Sequence, residues 1–496
     1  MVSSLWTTRS LGMMMTDSNL SARPRYHFTP PANFMNDPNG LVFYEGEYHL
    51  FYQHNPFGDT WGHMSWGHAV SRDLVRWEHL PIALYEADGV MIFSGSAVVD
   101  WRNTSRFGAS AEPPLVAIYT GHSAAQQTQN LAYSLDRGRT WTKHTGNPVL
   151  ALNLPHFRDP KVFWHEVTGQ WIMVTVLADQ QRVRFFGSPD LRRWAHLSDF
   201  GQAGAVNNEW ECPDLFPLAV EGRPEAQKWI LKVDVNKSIG AQYFIGQFDG
   251  MTFVNDAPDD QVLRVDCGRD FYAAQSWSDV PPKDGRRLWV GWMNNWDYAN
   301  MTPTSPWRSI FSIPRVLTLR EYPEGKRLVQ HPIAELARLR QPLYHRVGTN
   351  IRTVNAQLAA LGDPGAVLEI EVEFGPGSAA EFGLKVRAGP GEETVIGYDV
   401  LAEELWVDRR RSGNTEFAPA FPGRHRGPLP LEQGRAKLHI FVDACSVEVF
   451  GNDGRAVISD LIFPSPQSTG LELYTVGGEA RLIALEIWTL RSTVSG

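Results

Sequence analysis

Short apolar runs, some alternating with polar neighbours as at Leu438, Ile440 and Val442, recur along the chain between turn residues and predict a strand-rich protein. Leu41-Val42-Phe43-Tyr44 and Tyr48-His49-Leu50-Phe51-Tyr52 flank Glu45-Gly46-Glu47 and read as a hairpin. A third strand is predicted at Gly67–Ser71, and the unit closes on Ser71-Arg72-Asp73-Leu74-Val75-Arg76-Trp77. That closing pattern recurs at Ser134-Leu135-Asp136-Arg137-Gly138-Arg139-Thr140-Trp141 and at Ser188-Pro189-Asp190-Leu191-Arg192-Arg193-Trp194. A fainter copy is Phe248-Asp249-Gly250-Met251-Thr252-Phe253. Serine and aspartate side chains hold such turns, and the final aromatic ring is free to pack between units. Four short strands per repeat of roughly 60 residues predict the blades of a propeller.

The openings of the units recur as well. They are Asp37-Pro38-Asn39-Gly40, Phe93-Ser94-Gly95-Ser96, Arg158-Asp159-Pro160, Glu211-Cys212-Pro213-Asp214 and Phe271-Tyr272-Ala273-Ala274-Gln275. Five openings predict five blades over residues 26–335. Pro38 keeps Asp37 out of helical geometry, and Asn39-Gly40 is turn chemistry, so Asp37 is expected in extended backbone just before a turn and a strand. A helical linker is expected over 336–344, around Ile333-Ala334-Glu335-Leu336-Ala337-Arg338-Leu339. Alternating strands return over 345–496 without the repeat and suggest a β-sandwich. A loose arm is expected over 1–25. The fold class is therefore all-β: a five-bladed β-propeller followed by a β-sandwich.

Composition narrows the function. The chain has 496 residues, too many for one ordinary core, and a net charge of −9, which disfavours nucleic acid. No stretch is apolar for long enough to span a membrane. Three cysteines, far apart, give neither a disulfide framework nor metal-ligand spacing, so no metal and no cofactor are expected. The N-terminus lacks an apolar run of signal-peptide length, so a cytoplasmic location is expected, with secretion the alternative. The oligomeric state is not readable. Eighteen tryptophans suit both a strand-rich core and a sugar site, because sugar rings present apolar C–H faces to aromatic rings.

Three of the openings carry a carboxylate: Asp37, Asp159 and Glu211. Equivalent points of successive blades lie at one end of a propeller axis, so these groups are expected to converge. Cleaving a glycosidic bond needs one ionised carboxylate and one that delivers a proton. Asp37, with Asn36 beside it, suits the nucleophile. Glu211, between Trp210 and Cys212, suits the acid, its pKa raised by apolar neighbours and nearby negative charge. Asp159 beside Arg158 is expected to stay ionised and to grip sugar hydroxyls.

With these motifs the chain resembles glycoside hydrolase family 32, the β-fructofuranosidases. Ser446-Val447-Glu448-Val449-Phe450 adds to the likeness, which runs from residue 33 to 463. The resemblance implies a retaining mechanism with Asp37 as nucleophile, Glu211 as acid/base and Asp159 as transition-state stabiliser. It implies a fructose pocket lined by Asn36, Gln53, Trp61, Phe93, Ser94, Arg158, Tyr272 and Trp292. Phe34 departs from the commoner tryptophan, and Ala444-Cys445 from a commoner Arg-Ser pair. The expected substrates are fructans and sucrose. Gly291-Trp292-Met293-Asn294-Asn295-Trp296-Asp297-Tyr298 is closer to exo-acting levanases and inulinases than to invertases, with Asn294, Asn295 and Asp297 offering hydrogen bonds beyond the terminal sugar. A strict invertase or a fructosyltransferase is the alternative. A sialidase is disfavoured because Arg158 is the lone arginine at the openings, and a non-catalytic sugar binder because all three carboxylates are present.

Overall fold

The computed structural model describes residues 22–108 and 112–493. Strands run in series through the N-terminal domain and are antiparallel to their sequence neighbours. The first sheet contains Asn33–Tyr44, Glu47–Asn55, Ser65–Ser71 and Glu78–Leu84. The second is built on Met91–Val99, Leu115–His122 and Gln127–Ser134, and the third on Phe157–His165, Gln170–Leu177, Arg182–Ser188 and Ala195–Gly201. Trp210–Val220, Arg223–Val235, Gly240–Phe248 and Phe253–Asn255 form a fourth set. Tyr272–Ser276, Arg287–Met293, Arg315–Tyr322 and Gly325–Pro332 form a fifth, and the two sets join through a single parallel pairing of Val220 with Leu319.

The predicted closing turns are made as the residues suggest. Asp73 accepts from the amides of Val75 and Arg76 at 3.0 and 2.8 Å, and Asp190 from those of Arg192 and Arg193 at 3.1 and 2.9 Å. Asp136 accepts from the Thr140 amide at 2.9 Å, and Asp249 from those of Met251 and Thr252 at 2.8 and 2.7 Å. Such bonds favour the ionised carboxylate, and all four groups sit below the ordinary aspartate range against the opposing effect of burial.

The opening strands of the five sets meet one another. They contact one another in order (33–44 with 91–99, 91–99 with 157–165, 157–165 with 210–220, 210–220 with 272–276), and 272–276 also touches 33–44. Side-chain hydrogen bonds connect most of them, and one parallel backbone bridge, Val42 with Ser278, joins the last to the first. Asn39 receives the Gly95 amide at 3.1 Å, and Ser96 donates to Pro160 O at 2.9 Å. The Cys212 amide donates to Asp159 at 2.9 Å, Gln275 to Cys212 O at 3.1 Å, and Ser278 N to Leu41 O at 2.9 Å.

The linker is a single 3-10 stretch, Ala334–Leu339, and a strand, Arg340–Thr349, follows at once. The C-terminal region is sandwich-like, with a six-stranded and a five-stranded sheet closing on one apolar core that includes Ile370, Leu438 and Val449 with Leu384, Ile396 and Val407. One helix was not expected there. Ile351–Leu361 is capped by Asn350, which accepts from the Thr353 amide at 2.7 Å, and it buries Val354 and Leu358 against the sandwich. The cap residue and the spacing of Ile351, Val354 and Leu358 were its sequence signal.

The arm expected over 1–25 lies, up to residue 21, outside the described residues. Its last residues are anchored, since the amide of Arg25 donates to Asp443 at 2.8 Å and Arg23 donates to Pro30 O at 3.1 Å.

Candidate active site

Each opening strand slips register with its partner at the motif itself. The slips fall between Met35 and Pro38, Ile92 and Gly95, Arg158 and Lys161, Glu211 and Asp214, and Tyr272 and Gln275. Pro38, Pro160 and Pro213 cannot donate to a ladder, so the strand bulges there. Asp159, Cys212 and Ala273 take positive φ of 62°, 48° and 53°, a conformation that costs side-chain-bearing residues energy. Asp37 therefore lies within a bulged strand, Asn33–Tyr44, and not ahead of a turn. The bulges break the strict in-and-out alternation and turn polar side chains toward the neighbouring opening strand.

Asp37, Asp159 and Glu211 line one cavity of about 490 Å³. Asn36 donates to Asp37 Oδ1 at 3.0 Å and Ser94 to Oδ2 at 2.6 Å, so both oxygens are fixed. The Cys212 thiol stands between two carboxylates, 3.4 Å from Asp37 Oδ2 and 3.6 Å from Asp159 Oδ2. Arg158 donates to Glu211 Oε1 from Nε and Nη2 at 3.2 and 3.1 Å, and to Glu209 at 2.6 Å. Tyr272 donates to Glu211 Oε2 at 2.5 Å.

The electrostatics differ from the sequence expectation at two residues. Arg158 Nε is 3.9 Å from Asp159 and gives its shorter bonds to Glu209 and Glu211. Burial pushes Asp159 up to about 7; Arg158 opposes this, while Glu211 and Asp37 add to it. Asp159 is thus not held ionised by its neighbour. Glu211 is not enclosed by apolar groups either: Trp210 turns into the core, and both Glu211 oxygens meet polar donors. Arg158 is buried, which by itself lowers a guanidinium pKa, but Glu211, Asp159 and Glu209 together carry it above its ordinary value.

Asn36, Gln53, Trp61, Phe93, Ser94 and Arg158 also line the cavity. Among the described residues, Asn36 Oδ1 and Gln53 Nε2 are buried without a hydrogen-bond partner, two polar atoms free for a ligand. Trp61 is 40% exposed and meets Phe93 edge-on, and Phe93 stacks on His122 at 4.3 Å. Tyr272 reaches the site through its hydroxyl. Trp292 does not line the cavity: it is 0% exposed and packs at 4.7 Å behind Trp296, which does. Asn294 is spent on Ser309, Asn295 on Arg269 O and Asp297 on Arg269. Phe34 is core.

Sequence reading missed Glu209, Gln127, His122, His156, Asn300 and the pair Lys232–Asp234. Lys232 donates to Cys212 O at 3.1 Å and to Ala274 O at 3.0 Å, tying down two bulges. Burial pushes its partner Asp234 up to about 7, against Lys232 and with Asp37 and Glu211. Polar residues inside the apolar strand Arg223–Val235 were the available signal. Elsewhere, Glu369, Glu371 and His439 lie close enough to share an ion, but Arg340 already bonds Glu369 at 2.6 Å and Glu371 at 3.1 Å.

Clustered carboxylates in a concave pocket with an aromatic wall define a glycosidase. The glycosyl hydrolases family 32 N-terminal domain matches residues 27–332 and the family 32 C-terminal domain residues 335–489, and the chain belongs to that family. It is 52% identical over 479 residues to a levanase of Bacillus subtilis strain 168, covering 95% of this chain and 70% of the levanase. It is 38% identical to an extracellular exo-inulinase of Aspergillus niger, with 95% of each chain covered. The crystal structure of an exo-inulinase from Aspergillus awamori superposes with a TM-score of 0.90 at 36% identity, covering 97% of this chain and 100% of that one.

These relatives overturn the expected cytoplasmic location. Curated exo-inulinases similar to this chain are extracellular. The expectation had rested on the missing apolar run at the start of the chain, and the start of a given sequence carries no such information.

Proposed function

We propose that the protein is a retaining exo-β-fructosidase that removes terminal non-reducing β-D-fructofuranose from levan and inulin and also splits sucrose. The observation that carries this reading is the meeting of Asp37, Asp159 and Glu211, from three different opening strands, in one cavity. The levanase and exo-inulinase names of the relatives support the substrate class. The contacts of the opening strands, including that of the last with the first, support a closed five-bladed propeller that delivers the three groups to one end of its axis.

In this reading Asp37 attacks C2 of the terminal fructose while Glu211 protonates the departing oxygen. The C2–O bond breaks and a fructosyl ester forms on Asp37. Water then gives a proton to Glu211, attacks C2 and frees Asp37. Asn36 and Ser94 aim Asp37; Arg158 and Tyr272 aim Glu211. Asp159, Asn36 Oδ1 and Gln53 Nε2 bind hydroxyls, and Trp61 and Phe93 cover an apolar sugar face. Trp292 supports Trp296 from behind and is no longer assigned to the sugar.

The test is a time course on levan, inulin and sucrose with product chromatography, together with the anomeric configuration of fructose at first release. Free fructose, initially β, is expected from all three, with glucose as its co-product from sucrose and no oligosaccharide early from the polymers. Early oligosaccharides would remove the exo assignment, untouched polymers would leave an invertase, and longer products at high sucrose would mean transfer.

A further inference from the structure

A second cavity, of about 660 Å³, opens at the other ends of the same opening strands. Its lining includes Val98 and Val99, Phe163 to Val167, Leu215 and Pro217, and Ser278 and Asp279. The carboxylates of the first cavity stand at the strand beginnings. Lys161, two residues beyond Asp159, already lines the second cavity, but the two cavities share no lining residue and are separate.

Its rim is aromatic. Trp101 is 60% exposed, an unusual position for a large ring, and it is held there because its indole N–H donates at 2.9 Å to Asp279. Asp279 itself is pinned by the Val99 amide at 2.9 Å. Trp164, Trp229 and Phe163 continue the wall, and the Arg102 guanidinium lies 4.6 Å over Trp164.

The polar groups of the cavity have unmet capacity. Arg287 has five N–H donors but makes one long hydrogen bond, to Trp277 O at 3.5 Å, beside a ring contact with Phe216. The Trp164 indole N–H is buried with no partner among the described residues. Charge, by contrast, is balanced: Arg102 pairs with Glu166, Lys161 with Asp214, and Asp279 lies in the same cavity as Arg287. A balanced site gives no net attraction to an anion or a cation. Aromatic faces with free donors and no net charge fit a neutral chain of sugars, whose C–H faces stack and whose oxygens accept.

We propose that this cavity is a second, non-catalytic site that holds a fructan segment while another chain end is cut in the first cavity. The choice of fructan rests on the function proposed above. Holding the polymer at a second point raises its effective concentration at the enzyme, and sucrose, too short to be held at both, gains nothing.

The test uses Trp101→Ala and, independently, Arg102→Ala. Retardation of the enzyme in gels containing levan or inulin and kinetics on polymer and on sucrose are measured side by side. Each variant is expected to lose most of its retardation and to raise KM for polymer about tenfold, within the range linkage can supply, while kcat/KM for sucrose stays at the wild-type value. Wild-type retardation and polymer KM in both variants would overturn the second site and leave the first untouched. If the wild-type enzyme itself cut no fructan, the proposed function would fail instead. An equal loss on sucrose and polymer would mean a folding defect in place of a lost sugar contact and would also overturn the proposal.

Discussion

Two clusters of carboxylates in this molecule use the same residue types and reach opposite ends. At the junction of the two regions, Glu448 and Asp443 share His27 at 2.9 and 2.8 Å, and Glu448 also takes Arg315 at 2.5 Å. Asp270 and Asp460 face Arg409. Each buried anion has a cation, and Asp443, Glu448 and Asp460 all sit below their ordinary range, although burial acts the other way. In the cavity, Asp159, Glu209 and Glu211 crowd around Arg158 with Asp37 in the same pocket, and Asp159 is pushed up to about 7. Matched charge holds two regions together. Unmatched charge stores chemistry, because a group whose two protonation states lie close in energy can exchange protons and bind hydroxyls. The five bulges, with three non-glycine residues at positive φ, show that the second arrangement is held against strain.

Breaking the cavity should have the largest effect. Asp37→Ala and Glu211→Ala are each expected to lower kcat by at least about 10²–10⁴-fold, the range for loss of a positioned acid or base, with an unchanged melting temperature. A variant that kept wild-type kcat would remove its residue from the chemistry. Breaking the junction should do the reverse. Arg315→Met takes from buried Glu448 and Asp266 the guanidinium they share, leaving Glu448 with His27 alone, and is expected to destabilise by about 3–5 kcal/mol, read by chemical denaturation, with KM of the folded fraction unchanged.

The two clusters should also answer pH differently. Burial lowers the His27 pKa, but hydrogen bonds to Asp443 and Glu448 outweigh it and raise the group to about 9. Its contribution is complete below the unfolded value near 6.5 and is lost as pH rises through 9. Asp159 is raised from 3.8 to about 7, so the folded state binds the extra proton and stability falls as pH rises from about 4 to 7. His27→Gln is expected to flatten the alkaline arm of melting temperature against pH, and Asp159→Asn to reduce the slope between 4 and 7. Unaltered curves would refute these sources. The smallest effect separates two neighbouring rings: Trp296→Ala should raise KM several-fold, and Trp292→Phe should cost about 1–3 kcal/mol of stability with little change in KM.

The sequence alone determined whatever depends on local chemistry. Serine, aspartate and a closing aromatic write the turns at 71–77, 134–141 and 188–194, and proline after a carboxylate marks where an opening strand must bulge. The Tyr44–Tyr48 hairpin and the tight turn at Asn452-Asp453, both at positive φ, were legible in the same way. Tertiary structure decided what depends on distance through space. Only the fold turns Trp296 to the cavity and Trp292 to the core, though both stand in one motif and the alternation of a strand cannot say which side another sheet will cover. Only the fold brings His27 to Asp443, 416 residues away. And whether a carboxylate is neutralised, as at Glu448, or left crowded, as at Asp159, depends on how many cations reach it, a count set by the packing of whole sheets and not by the residues beside it in the chain.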